Sequence, residues 1–187
     1  GGGGSPGTTL SGSPSINYRD QYGKKLQVNS SYTYNFRDNN STNNSYGQRI
    51  STLGPTDFIN SNVSESDTHG HSVDVELEYQ IDSANYLQVR PSVSFNNSLN
   101  TRSGSQDQFN RYVDSLGNPN YSHQITTSSS TTTGSTPSFN TSLLFSHNFK
   151  KPQRVFSLNF SAQASKNESV SDVNSDTKYL DVTTGQP

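Results

Sequence analysis

Residues 72–96 read SVDVELEYQIDSANYLQVRPSVSFN, and their alternation decides the fold. Val73, Val75, Leu77, Tyr79 and Ile81 alternate with Ser72, Asp74, Glu76, Glu78 and Gln80. After a turn near Asp82 to Asn85, Leu87, Val89, Pro91, Val93 and Phe95 alternate with Gln88, Arg90, Ser92, Ser94 and Asn96. Strand side chains have period two, so each run has one apolar and one polar face, and the short turn between matched runs predicts a hairpin. Directly opposed residues share a face, so a loop of three or five residues sets Arg90 opposite Glu76 or Glu78.

The same pattern recurs on either side. Leu26, Val28, Ser30, Tyr32, Tyr34 and Phe36 share a face, preceded by Ile16 and Tyr18 and a short turn over Asp20 to Lys24 that contains Gly23. Phe139, Thr141, Leu143, Phe145, His147 and Phe149 lead into a turn at Lys150 to Gln153 and return as Phe156, Leu158, Phe160, Ala162 and Ala164. A four-residue loop there pairs Phe145 with Leu158 and Leu143 with Phe160, so both apolar faces coincide. Leu144 is the one clear apolar residue on the polar face. Three hairpins are expected at about 15–36, 72–96 and 139–165, inside a partial barrel at 13–166. A Gly-rich loop at 1–12 precedes it, and a polar loop or truncated end at 167–187 follows.

Composition narrows the class. Ser (34), Asn (21) and Thr (18) fill much of the 187 residues, and only 26% are hydrophobic, well below the usual fraction near one half. A conventional soluble core is therefore not expected, yet a net charge of −2 with 15% charged residues lacks the electrostatic half of a disorder signature. No cysteine is present, which excludes disulfides, thiolate metal sites and cysteine nucleophiles here. The charge balance gives no footprint for nucleic acid, and no apolar window is long enough for a membrane-spanning helix.

Arg37 to Gly70 and Asn97 to Pro137 are polar stretches rich in Asn, Ser and Thr, and they read as long loops at 37–70 and 97–137. Short turns at one end, long loops at the other and strands of roughly 10 to 12 residues match the asymmetry of a transmembrane β-barrel. A soluble antiparallel sheet buried on one face gives the same alternation. Tyr22, Tyr86, Phe149 and Phe156 lie beside the short turns and Tyr34, Phe36, Phe95 and Phe139 near the other strand ends, as two interface girdles require.

The stretches INYRDQYGKKLQVNSSYTYNF (16–36) and LEYQIDSANYLQVRPSVSF (77–95), with GGGGSPGTTLSG (1–12) before them, resemble the barrel of TonB-dependent-receptor-like outer-membrane β-barrel proteins of gram-negative bacteria. The resemblance spans most of residues 1 to 165. It implies an all-β, antiparallel up-and-down transmembrane barrel section of about six strands, which transports a ligand or acts as a membrane scaffold. Its expected partners are outer-membrane lipid, the remainder of the barrel, a plug domain and TonB-type energy coupling. Six strands are fewer than the eight at which single-chain barrels begin, so the chain is expected to be a piece of a larger barrel or to associate with copies. A secreted or cell-surface β-rich adhesion module is the alternative, and a disordered low-complexity segment a third.

Candidate chemistry is sparse. Asp74, Glu76 and Glu78 form an acidic stripe on the polar face that in a barrel lines the lumen, with Arg90 as its charge partner. Arg19, Lys24, Lys25, Lys150, Lys151 and Arg154 collect at the short-turn end, where they meet anionic headgroups or discourage edge pairing. His69 and His71 lack a further ligand at metal-binding spacing. Asp172, Asn174 and Asp176 begin like a calcium loop, but Thr177 and Thr183 stand where Gly and Glu are needed. No nucleophile elbow, P-loop or dinucleotide fingerprint occurs, so no enzyme, metal or cofactor is expected.

Overall fold

The computed structural model describes residues 6–52, 54–114, 116–151 and 153–180. The chain forms β1 (Gly7–Gly12), β2 (Ser15–Tyr22), β3 (Leu26–Ser51), β4 (Gly54–Gln80), β5 (Asn85–Val113), β6 (Pro119–Asn148), β7 (Val155–Ser165) and β8 (Glu168–Leu180). All pairings are antiparallel. β1 and β2 both pair with β3, and β7 and β8 both pair with β6, so eight strands make six lines of an open up-and-down sheet.

The three expected hairpins are present, with the register that the alternation implies. Leu77 opposes Val89, Phe145 opposes Leu158 and Leu143 opposes Phe160. The turns are slightly displaced: β2 runs through Asp20 to Tyr22, which leaves Gly23, Lys24 and Lys25 to reverse the chain, with Gly23 at φ 64°. That left-handed conformation is cheap only without a Cβ. Pro152 of the third turn lies outside the described residues.

The expected loops at 37–70 and 97–137 are corrected by the structure. Both are hairpins in their own right: Arg37 to Ser51 pairs with Gly54 to Thr68, and Asn97 to Val113 pairs with Pro119 to Ser135. Residues 7–12 of the expected Gly-rich loop are β1, and 168–180 of the expected polar end are β8; residues 1–5 and 181–187 lie outside the described residues. The physical reason is that Ser, Thr and Asn can bond side chain to side chain across the ladder. Ser66 Oγ donates to Asn100 Oδ1 at 2.7 Å, and hydroxyls meet at Thr132–Ser171 (2.9 Å) and Thr126–Thr177 (3.0 Å). Loops without apolar residues cannot offset their ordering entropy, but a strand held by backbone pairing along its length does not depend on side-chain burial in the same way.

β3 to β6 therefore run 26 to 30 residues, or about 85 to 100 Å at roughly 3.3 Å per residue. One face is apolar from the Leu26 row to the Phe36 row, across Tyr79–Val73, Leu87–Phe95, Phe145–Phe139 and Leu158–Ala164. Beyond those rows polar residues predominate on both faces until the distal tip, with Leu10, Val63, Leu99 and Val170 among the apolar exceptions. There Phe109 (5% exposed) and His123 (8% exposed) are the buried residues of the tip, with Tyr121 stacked on Phe109 and the Arg111 guanidinium 5.4 Å from its ring centroid. Gly54, at φ 136°, closes the β3–β4 tip where a Cβ would strike the Arg111 carbonyl.

Both edge lines break at one height. Pro14 separates β1 from β2 and accepts from Tyr34 N–H, while Lys166 separates β7 from β8 and donates to the Pro137 carbonyl. Tyr34, His71, Phe95 and Pro137 are register partners, so the two breaks share a row.

Two turn carboxylates cap their own loops. Asp82 is held below the usual carboxylate range by Asn85 and by the Ala84 and Asn85 N–H groups, and Asp114 by the N–H groups of Asn118 and Leu116. Their contribution is present above the unfolded carboxylate pKa, about 3.9, and is lost as pH falls through the depressed folded value. Carbon-detected titration should give both midpoints below that of a free aspartate; ordinary midpoints would refute the capping. For the distal hairpins, proteinase K should cut at 52–53 and 114–118 and spare 38–50 and 98–112. Cleavage throughout 38–50 would restore the loop reading.

Candidate polar-face site

The face opposite the apolar belt carries its charge in three adjacent rows. Register aligns Arg19, Asn29 and Glu76 across β2, β3 and β4, with Arg90 beside Glu76 on β5 and Ser142 and Ser161 beyond it. The row toward the short turns contains Gln27, Glu78 and Gln88; the row above contains Ser31, Asp74 and Ser92. Arg19, expected among the turn-end cations, thus stands on the polar face. Its position was readable only through the β2–β3 register.

Arg90 binds Glu76 through both Nε (2.6 Å) and Nη2 (2.5 Å) to Oε1. Gln88 donates to Glu76 at 2.9 Å and to Glu78 at 3.2 Å, and Asn29 donates to Glu76 Oε2 at 3.3 Å. Asp74 accepts from Ser92 at 2.7 Å and Ser72 at 3.1 Å. All four sequence candidates, Asp74, Glu76, Glu78 and Arg90, are therefore on one face; Glu76, Glu78 and Arg90 share one network through Gln88, while Asp74 is held separately by Ser72 and Ser92. The sequence reading missed Asn29 and Gln88, because amides on a polar face look like ordinary strand filler until the cross-strand partners are known. Asn29 Oδ1 is buried without a hydrogen-bond partner, on the wall of a 480 Å³ concavity lined by Asn17, Arg19, Asp74 and Arg90 among others.

The other candidates separate. His69 and His71 lie on the belt face, where Tyr34 Oη meets His69 Nδ1 at 2.5 Å and Tyr32 Oη meets His71 Nδ1 at 2.8 Å. Both rings stack with these tyrosines and extend the aromatic row. Asp172, Asn174 and Asp176 lie at alternate positions of a straight strand. Tyr86 opposes Ser146 on the polar face and so leaves the expected girdle, whereas Tyr22, Phe156, Tyr34, Phe36, Phe95 and Phe139 lie on the belt face. Asp20 also lies on the belt face, close to its short-turn edge, and accepts from Tyr18 Oη at 3.0 Å.

No protein family matches the chain, and no curated protein does. Among solved structures the chain is similar to the membrane pore complex of pneumolysin, at 9% identity over 90% of this chain and 31% of that one, with a TM-score of 0.15. It is similar to Pseudomonas aeruginosa OccK10 (OpdN), at 9% identity over 97% and 100% of the two chains with a TM-score of 0.15. For Pseudomonas aeruginosa OpdQ the values are 7%, 92%, 86% and 0.16. Similarity at these scores carries no argument, and the chain spans less than a third of the pneumolysin chain.

The Arg90–Glu76 side chains are 57% and 28% exposed, so water screens their attraction and the pair should contribute no more than about 1 kcal/mol. A double-mutant cycle with Arg90→Ala and Glu76→Gln, read by urea unfolding, should give a coupling of that size that shrinks as salt rises. A salt-independent coupling of several kcal/mol would show instead that the face is sealed from water.

Proposed function

We propose that this chain is a section of an outer-membrane β-barrel of the TonB-dependent-receptor-like kind, acting as a transporter or membrane scaffold without catalysis. The apolar belt carries the reading. From Leu26 to Phe36 it measures about 33 Å along the strand, and a tilt near 40° reduces that to about 25 Å, the height of the lipid-facing band of such barrels. Tyr22 and Phe156 mark its lower limit and Tyr34, Phe36, Phe95 and Phe139 its upper one. Among the described residues no second layer covers it: the chain exposes 13228 Å², against about 8,800 Å² for a globular chain of this mass.

On this reading lipid covers the belt, further strands pair with the β2 and β7 edges, and the charged rows face the lumen. Unpaired strand edges at membrane depth would leave backbone groups unsatisfied in hydrocarbon, which makes those further strands necessary. A plug domain and TonB-type energy coupling follow from the sequence resemblance. The rival, a surface adhesion module, draws support from the polar distal sheet, which stands in water; it would need a second sheet over the belt.

Leu77→Arg separates the two. A cation on the lipid face near midplane costs about 2 to 4 kcal/mol, so this variant should fold poorly into vesicles, while Glu78→Arg, one residue along on the polar face, should fold like the parent. Equal yields for both variants, or a parent chain that is folded and monodisperse in buffer without detergent, would count against the membrane reading.

A further inference from the structure

Beyond the aromatic rows the carboxylates collect on one face of the sheet, which also carries Arg111 and Lys178. Asp38, Asp57, Glu65, Asp67 and Asp107 all fall on the face continuous with the apolar belt, and so do Glu168, Asp172 and Asp176 of β8. The opposite face carries Arg37, Arg49 and Arg102 and, among the described strand residues beyond the aromatic rows, no carboxylate. None of these three arginines is hydrogen-bonded or ion-paired through its side chain to a described residue.

Arg102 is the best placed of them. Register surrounds it with Ser64 and Ser130 on the neighbouring strands. It opens into a 400 Å³ concavity lined by Ser41, Asn43, Asn62 and Ser64. Elsewhere on this face polar side chains satisfy one another, as Ser66 does with Asn100 and Thr9 with Asn39. Here the guanidinium, both carboxamides and both hydroxyls are free of protein partners among the described residues, and all border one hollow.

These groups define a ligand chemistry. A guanidinium pairs with a carboxylate or sulfate through two parallel N–H donors. Carboxamides and hydroxyls both donate and accept, which matches vicinal sugar hydroxyls. The lining has no apolar side chain for a lipid tail and no aromatic platform on which a nucleobase would stack. We infer that this concavity binds an anionic saccharide, with Arg102 on the acid group and Ser41, Asn43, Asn62 and Ser64 on the hydroxyls. A hollow of this volume is at the lower end of small-molecule sites, roughly one or two sugar rings.

The inference goes beyond the membrane reading and does not need it, since it rests on the collection of the distal carboxylates on the other face. The test is calorimetric titration of the chain folded in detergent micelles, with trigalacturonate and a heparin-derived disaccharide as carboxylate and sulfate probes and maltotriose as the neutral one. At least one acidic saccharide should bind, more weakly as salt is raised, and maltotriose should not. Arg102→Ala should weaken binding at least tenfold and Arg102→Lys less, because charge survives without the bidentate fork. Arg49→Ala, which removes an equal charge elsewhere on the face, should change affinity less than twofold. The proposal is overturned by maltotriose binding as tightly as the acids, by Arg49→Ala and Arg102→Ala being equivalent, or by no binding of either acid. Strand circular dichroism and vesicle insertion, measured in parallel, keep a failure of this inference distinct from a failure of the barrel reading.

Discussion

Everything in this molecule hangs from the backbone hydrogen-bond ladder. A one-layer sheet has no interior to bury side chains in, and among the described residues Phe109 is the only buried hydrophobic one. Cohesion therefore comes from amide pairs repeated along strands of up to 30 residues, each worth little net in water because solvent competes for the same groups. In hydrocarbon that competition vanishes. The belt rows are thus the part of the sheet where the ladder is strongest, and also the part where an unpaired edge is least tolerable.

This division explains what was legible in the residues. Between Val73 and Ile81, or Phe139 and Phe149 with Leu144 as the exception, apolar and polar faces alternate, so strand, face and even register could be read; Phe145 does oppose Leu158, and Arg90 does meet Glu76. Between Asn39 and Ser45, or Thr126 and Thr133, both faces are polar and a period of two leaves no trace in hydropathy. Those segments looked like loops because the usual signal of a strand is a signal of burial, and these strands bury almost nothing. Hydroxyl and amide side chains that reach across the ladder, such as Thr132 to Ser171, are the clue that single-strand reading cannot use, since it requires the partner.

The charged rows of the polar face show the same limit at the scale of a site. Asp74, Glu76, Glu78 and Arg90 announced themselves by lying in one hairpin. Asn29 and Arg19 joined them only once β3 was set beside β4 and β2 beside β3. The distal arginines were harder still: Arg37 and Arg49 lie on β3 and Arg102 on β5, and only their shared parity across the β3–β4 and β4–β5 registers places them on one face, whose distal rows hold no carboxylate among the described residues.

The two breaks at Pro14 and Lys166 have a mechanical meaning. At that row only the four inner lines run through uninterrupted, while both margins of the sheet are cut. A thin plate notched on both margins at one level flexes there before it flexes anywhere else. Load applied at the tip, through the Phe109 cluster, would be converted into rotation about the level of Tyr34 and His71, and little of it would reach the rows below. The lower sheet is in this sense shielded from forces acting on the upper one, and the aromatic row serves as the fulcrum between them.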